Sequence, residues 1–388
     1  MCAMLLGPSH PLHADATAQA RLTGALTGNQ PEITPVWFMR QAGRSLPEYR
    51  ALRVGNQMLD ACLSPTLASE ITLQPVRRHG VDAGIFFSDI VVPLRLVGVD
   101  VRIEPGTGPV FGQPLEGGRE VAALTRIDPR DVIAAGEPVW EAVALAVSML
   151  RSLGAERGEP LPLIGFAGAP FTLAAYMVEG RPSKDQWAAR ALMHRDPAAW
   201  SALMEWTADL TGLFLRCQVE NGASAGQLFD TWAGNLSADD YVRYAAPATS
   251  QALSHLRDLT YHPGPAADER ERPVPIIHFG LGTGELLGAM RDVGVDALGI
   301  DYRIPLDEAN RRLGGAVALQ GNLDPSMLAA PDDVLTRAVI DVLERGAPAP
   351  GHVFNLGHGV PAAADPDVLS RVVTLVHEWR RPAGAADA

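Results

Sequence analysis

The chain has 388 residues, of which 47% are apolar and 20% charged, a size and balance suited to one large α/β unit. Its formal net charge is −13, which disfavours nucleic acid and anionic membrane as partners, and no apolar run reaches the length of about 18 residues that a bilayer span needs. Such a surface also repels small anions at long range, so any anion site has to be a local cluster of positive groups.

From the N-terminus, the chain begins with a segment that carries no Lys or Arg before Arg21. It lacks the basic start of a secretory signal and the arginines of a transit peptide. Residues 1–27 are expected to form a loose N-terminal extension, with the main unit over 28–382 and a tail over 383–388. Cys2, Cys62 and Cys217 lie far apart with no C-x-x-C pair, which together with the missing signal points to the cytoplasm.

Eight short apolar runs, mostly rich in β-formers, follow: Pro35–Met39, Ala83–Phe87, Leu161–Phe166, Gly226–Phe229, Val274–Phe279, Ala297–Ile300, Val317–Gln320 and His352–Asn355. Helical periodicity marks Leu67–Arg78, Val139–Leu153, Ala198–Val219, Ala238–Leu256, Pro331–Arg345 and Pro366–Arg380. Strand–helix alternation with eight strands predicts an α/β fold, a single-domain (β/α)8 barrel of the TIM type, with a doubly wound open sheet as the alternative. The interval Ser88–Pro160 is too long for a simple crossover. Alternation in Val99–Ile103, followed by a Pro/Gly-rich stretch, reads there as a hairpin, an insertion after the second strand. His262–Pro273 reads as an exposed polar loop.

In such a barrel, chemistry gathers at the C-terminal ends of the strands. Those ends lead into Arg40-Gln41-Ala42-Gly43-Arg44, Ser88-Asp89, Ala167-Gly168-Ala169-Pro170 with Tyr176 beyond, Asp230-Thr231-Trp232, and Gly357-His358-Gly359. Arg40, Arg44, Arg50 and Arg53 form a positive patch in an acidic chain, and guanidinium groups bind carboxylates bidentately. On a helix Arg40 and Arg44 share a face; in a loop, the backbone N–H groups around Gly43 can face an anion too. The competing reading is surface salt bridges to Glu32 and Glu48. Asp89 closes an apolar run, where a carboxylate needs donors; it either caps the next segment or faces N–H groups or a developing cation. Tyr176 sits in an apolar helical stretch, Thr231 stands where it can cap a helix, and His358 lies between two glycines that free its backbone.

Several chemistries are set aside. The chain has no G-x-x-x-x-G-K-[ST], H-E-x-x-H or G-x-S-x-G motif. Gly280–Gly284 follows a strand, but Glu285 occupies the third glycine position of a dinucleotide fingerprint. The histidines show no tight His/Cys cluster for a metal.

The segment PVWFMRQAGRSLPEYR (Pro35–Arg50) closely resembles the N-terminal signature of the uroporphyrinogen decarboxylase family. The likeness continues in FFSDI (Phe86–Ile90), GFAGAPFTLAAYMVEG (Gly165–Gly180), SKD (Ser183–Asp185), QLFDTWAG (Gln227–Gly234), VALQGNLDP (Val317–Pro325) and NLGHGV (Asn355–Val360). It implies a (β/α)8 barrel, a homodimer, and no metal or cofactor. It also implies stepwise loss of the four acetate carboxyl groups of uroporphyrinogen III, giving coproporphyrinogen III and CO2 in haem and other tetrapyrrole synthesis. Carried over residue by residue, Arg40 and Arg44 bind substrate carboxylates, and the Gln41, Ala42 and Gly43 backbone lines the same wall. Arg53 matches a further arginine near the mouth and Asp89 the central carboxylate. Tyr176, Thr231 and His358 match polar groups that contact the substrate. Asp89, Arg40, Arg44, Tyr176 and His358 make up the implied catalytic set. Ser45, Thr231 and the stretch Val360–Ala364 depart from commoner family residues without removing any of these groups. Two rivals stand beside this reading. One is a zinc- and corrinoid-dependent methyltransferase of the same barrel type, whose H-x-C pattern is missing at His278-Phe279-Gly280. The other is a catalytically silent tetrapyrrole carrier.

Overall fold

The computed structural model describes residues 4–14, 16–263 and 270–381. Seven strands form one parallel sheet whose spatial order follows the chain: β1 (Gly84–Ile85), β2 (Leu163–Gly168), β3 (Ala225–Asp230), β4 (Ile276–Gly280), β5 (Ala297–Gly299), β6 (Ala318–Leu323) and β7 (His352–Leu356). Each is nearly or wholly buried along its length, as parallel strands are when helices cover the sheet. The run Pro35–Met39 touches both edges of this sheet. Val36 bridges Phe354 in β7 in parallel, with Phe354 N–H donating to the Pro35 carbonyl at 2.8 Å. On the other edge, Asp82 N–H, just before β1, donates to the Val36 carbonyl at 2.9 Å. Trp37 and Phe38 are fully buried. Trp37 Nε1 donates to Gln320 Oε1 (3.0 Å), and Gln320 Nε2 donates to Gln227 Oε1 (3.1 Å), which links this run to β6 and β3.

The helices run where the periodicity places them, including Pro65–His79, Glu137–Arg157, Pro197–Glu220, Asp332–Gly346 and Pro366–Glu378. Asp196 and Asp365 cap two of these, accepting from Ala199 N–H and Asp367 N–H. The stretch expected as one helix over Ala238–Leu256 is two, Ala238–Tyr244 and Ala246–Ser254. Pro247 explains the break, because it supplies no N–H to continue the ladder and its ring crowds the carbonyl one turn back; Ala245 leaves helical geometry, and Pro247 falls in the first turn of the next helix. Between β1 and β2, Val101–Glu104 pairs antiparallel with Gly108–Phe111 as the expected hairpin. Arg272–Pro273 pairs with Leu259–Tyr261, so the base of the His262–Pro273 loop is a narrow ladder, whereas 264–269 lie outside the described residues.

The loose N-terminal extension is not found. Met4–Leu5 pairs with Leu259–Tyr261, and Leu12, Leu22 and Leu26 are 2% exposed or less. Arg21 binds Asp82 (2.7 Å) and Glu159 (2.7 Å). These leucines are apolar anchors whose burial favours docking. The 383–388 tail lies outside the described residues. No helix among the described residues is long and apolar enough to cross a membrane.

Candidate active site

The strand ends carry the site. After Phe38 the backbone turns sharply. Gln41 holds the turn: its Oε1 accepts from Phe38 N–H (2.9 Å) and its Nε2 donates to the Ala83 carbonyl (3.1 Å). Asn355 Oδ1 accepts from Met39 N–H at 3.0 Å. Gln41 is itself fully buried and its N–H is spent on the Phe38 carbonyl, so it braces the turn and does not line the open wall. Ala42 and Gly43 are half-buried. Arg40 adopts φ +60°, a left-handed backbone uncommon for a residue with a side chain. Gly43 permits this, since a Cβ there would sit 2.7 Å from the Arg40 carbonyl oxygen.

Arg40 and Arg44 are exposed. The salt-bridge reading fails on their proposed partners: Glu48 is held bidentately by Arg78 (2.7 and 2.9 Å), and Glu32 lies against Arg380. Among the described residues neither Arg40 nor Arg44 has an ion pair. Arg53 is more committed. Its guanidinium donates to the Gln57 carbonyl (2.6 Å) and stands 6.0 Å from the Tyr49 ring centroid.

Asp89 follows β1. One oxygen accepts from Val91 N–H at 3.1 Å, so the capping role exists, and among the described residues the other oxygen has no hydrogen-bond partner. Burial raises its pKa above the ordinary carboxylate range, opposed by the Val91 N–H and by the positive charge of Arg40. Arg40 is therefore close enough to act on Asp89. It acts on Tyr176 and His358 as well, which brings these four side chains together. Arg44 acts on Tyr49.

Tyr176 comes from the helix Pro170–Glu179 that follows β2. Burial and the nearby Asp89 push its hydroxyl up to about 12, so it stays protonated and can donate a hydrogen bond. Its ring stacks on Trp232, with centroids 3.7 Å apart. Trp232 is fixed through Thr172, whose hydroxyl accepts from Trp232 N–H (3.3 Å) and donates to buried Asp230 (2.8 Å). Thr231, half-buried beside it, does not cap the following 3-10 turn Ala233–Asn235. His358 stands in a narrow gap: side chains at Gly357 and Gly359 would strike Tyr302 and Arg40. Its Nδ1 accepts from Gly359 N–H (2.6 Å), which puts the proton of the neutral ring on Nε2. Burial lowers its pKa, and Arg40 and Arg303 lower it further against the opposing charge of Asp301.

Trp232 and Arg303 are the two site-proximal residues that the sequence reading did not select. Both follow strand ends, which is the one sequence signal they carry. His278, fully buried, lies 3.5 Å from Asp230. No three His, Cys, Asp or Glu side chains among the described residues cluster as a metal site. Two hollows, of about 300 Å³ around Pro11, Val147 and Leu163 and about 390 Å³ around Asn29, Asp296 and Ala318, open at the opposite ends of the strands and contain none of these residues.

A family model described as uroporphyrinogen decarboxylase (URO-D) matches residues 17–379. The chain belongs to the uroporphyrinogen decarboxylase family. It is 60% identical to a uroporphyrinogen decarboxylase of Leifsonia xyli over 98% of this chain and 100% of that one. It is 59% identical to one from Arthrobacter sp. over 93% and 97% of the respective chains. Among solved structures, a methyltransferase from Methanosarcina mazei superposes with a TM-score of 0.70 at 17% identity, covering 93% of this chain and 98% of that one; that likeness concerns fold alone. The family match begins at residue 17, inside the segment first expected to be loose.

Proposed function

We propose that this chain removes the acetate carboxyl groups of uroporphyrinogen III, releasing CO2 and leaving coproporphyrinogen III. The observation that carries the reading is the single half-free carboxylate of Asp89 beside Arg40, Tyr176 and His358, with unpaired Arg44 farther out. A porphyrinogen has pyrrole N–H groups at its centre and acidic arms at its rim. The free Asp89 oxygen accepts from the N–H groups, and Arg40 and Arg44 hold the arms. Protonating a pyrrole carbon makes the ring cationic. The bond to the carboxylate then breaks, its electron pair flows into the ring, CO2 leaves, a second proton converts the exocyclic methylene to methyl, and the ring carbon gives back the first proton to restore the pyrrole. Asp89 faces a neutral ring in the ground state and a cation in the transition state, so it binds the latter better. Tyr176 and neutral His358 supply N–H or O–H donors to the arms, joined by Ala42, Gly43, Arg53 and Thr231 at the wall.

We read Pro35–Met39 as the eighth stave of a closed (β/α)8 barrel, its contacts with both sheet edges supporting this, and the chain as one domain with the Val101–Phe111 hairpin as an insertion. A cytoplasmic homodimer that needs no metal or cofactor completes the proposal. The test is anaerobic incubation with freshly reduced uroporphyrin in the presence of a chelator, followed by oxidation and chromatographic separation of products by carboxyl number. Stepwise loss of carboxyl groups is expected. Recovery of bound but intact substrate would favour the carrier.

A further inference from the structure

The loop after β5 bears on the same mouth. Asp301 is 3% exposed and is held from three directions: by Gly282 N–H, by Arg303 N–H (3.0 Å) and by Arg303 Nη1 (2.7 Å). Asn322 Nδ2 fastens the same loop by donating to the carbonyls of Asp301 (2.8 Å) and Ile304 (2.6 Å). The Arg303 guanidinium lies 4.8 Å from the Tyr302 ring centroid, and its side chain is half exposed. Only part of its donor fork is used by Asp301, and the remaining N–H groups are free for a ligand. The loop abuts the His358 turn: a side chain at Gly357 would collide with the Tyr302 backbone, and one at Gly359 would strike the Arg40 side chain. His358 is thus flanked by Tyr302–Arg303 on one side and Arg40 on the other. Both guanidiniums bear on its imidazole electrostatically.

We propose that Arg303 is a further carboxylate-binding residue of this site, gripping an acidic arm of the substrate across His358 from Arg40. The inference rests on the tetrapyrrole reading above. It explains why a surface arginine is anchored to a buried aspartate: a guanidinium fixed at one edge loses less freedom when the other edge takes a ligand. It also means that arms on both sides of His358 meet a cation, while the pyrrole centre meets Asp89.

Arg303→Ala and Arg303→Lys are compared with wild type in two assays. One is turnover of uroporphyrinogen. The other is equilibrium binding of oxidised uroporphyrin, read by quenching of tryptophan fluorescence. For Arg303→Ala, KM and the porphyrin dissociation constant are expected to rise by on the order of tenfold to a hundredfold. The turnover number should stay within about threefold, as for lost uniform binding, and Arg303→Lys should fall between the two. Unchanged KM and binding in folded Arg303→Ala would overturn the proposal. So would a joint fall of turnover number and melting temperature that Lys does not restore, since that is the mark of a residue that only locks the loop. If wild type itself proves inactive, the decarboxylase reading falls and the binding arm decides alone: weakened uroporphyrin binding in Arg303→Ala supports the carboxylate contact, and unchanged binding overturns it.

Discussion

Asp89→Asn separates the chemistry from the fold. The variant keeps the shape of the side chain and an oxygen for Val91 N–H, the one hydrogen bond that the Asp89 side chain makes among the described residues. What it loses is charge. A carboxylate about 4 Å from a pyrrole cation, at an effective dielectric near 20, contributes roughly 4 kcal/mol. Because the neutral ground state gains little of this, the turnover number should fall by on the order of a thousandfold. Stability moves the other way. Burial raises the Asp89 pKa, so the ionised form is less favourable in the folded than in the unfolded chain. That penalty is absent below the unfolded value and complete above the folded one. At pH 7 the wild type carries it and Asn does not, so the variant should melt at or above the wild-type temperature. The assays are anaerobic product formation and calorimetry on the same preparation. Wild-type turnover by the folded variant would refute the electrostatic role, and a lower melting temperature would refute the account of its burial.

Arg40→Ala should raise KM or lower the turnover number while shifting stability by no more than about 0.5 kcal/mol, because Arg40 is exposed and makes no ion pair among the described residues; a denaturant titration with parallel kinetics checks both halves. Asp82→Ala should do the reverse, costing about 3–5 kcal/mol with turnover per folded molecule retained, as urea unfolding and active-fraction assays would report. In the pH profile, kcat/KM should fall as pH drops through the raised pKa of Asp89, placing the acid limb above the ordinary aspartate range. Any limb that His358 contributes should lie below 6.5, since burial, Arg40 and Arg303 lower its pKa, and Tyr176 should contribute none near 10, since burial and Asp89 push its hydroxyl up to about 12. A limb near 6.5 that vanishes in His358→Asn would contradict this.

Local pattern was enough to find the strands and most helices, because parallel strands buried on both faces appear as apolar runs and covering helices as 3.6-residue periodicity. It failed where a single residue or a distant partner decides. Pro247 divides a helix inside a continuous periodic stretch. Leu12, Leu22 and Leu26 dock the N-terminal segment, yet the ties of Arg21 are to Asp82 and Glu159 and those of Met4–Leu5 to Leu259–Tyr261, far away in the chain. The site shows the same division. Arg40, Asp89, Tyr176 and His358 each follow a predicted strand end, so the register of polar residues against strands brought them forward. Gln41 sits in the same motif but turns inward, because its amide matches the Phe38 N–H and the Ala83 carbonyl. Trp232 is significant through its stack on Tyr176, and Arg303 through Asp301 and the His358 turn. Neither relation can be read from neighbours in sequence.

The two aspartates flanking β1 argue the functional polarity of the fold more directly than either alone. Asp82 precedes the strand and Asp89 follows it. Asp82 accepts from Val36 N–H (2.7 Å), Arg21 (2.7 Å) and His377 (2.8 Å), so it binds the N-terminal helix, the first apolar run and the last helix into one joint. Asp89 has one backbone donor, and the nearest cation, Arg40, does not pair with it. A buried carboxylate is costly unless donors surround it. The fold meets that requirement fully at one end of the strand and leaves it half met at the other. Stability alone would favour a neutral side chain at position 89. A ligand that brings N–H groups and positive charge to the free oxygen removes the deficit, and removes most of it when its charge is greatest, in the decarboxylating ring. Asp82 thus serves cohesion at the N-terminal end of the strand, and in the proposed function Asp89 faces the cationic ring at the C-terminal end.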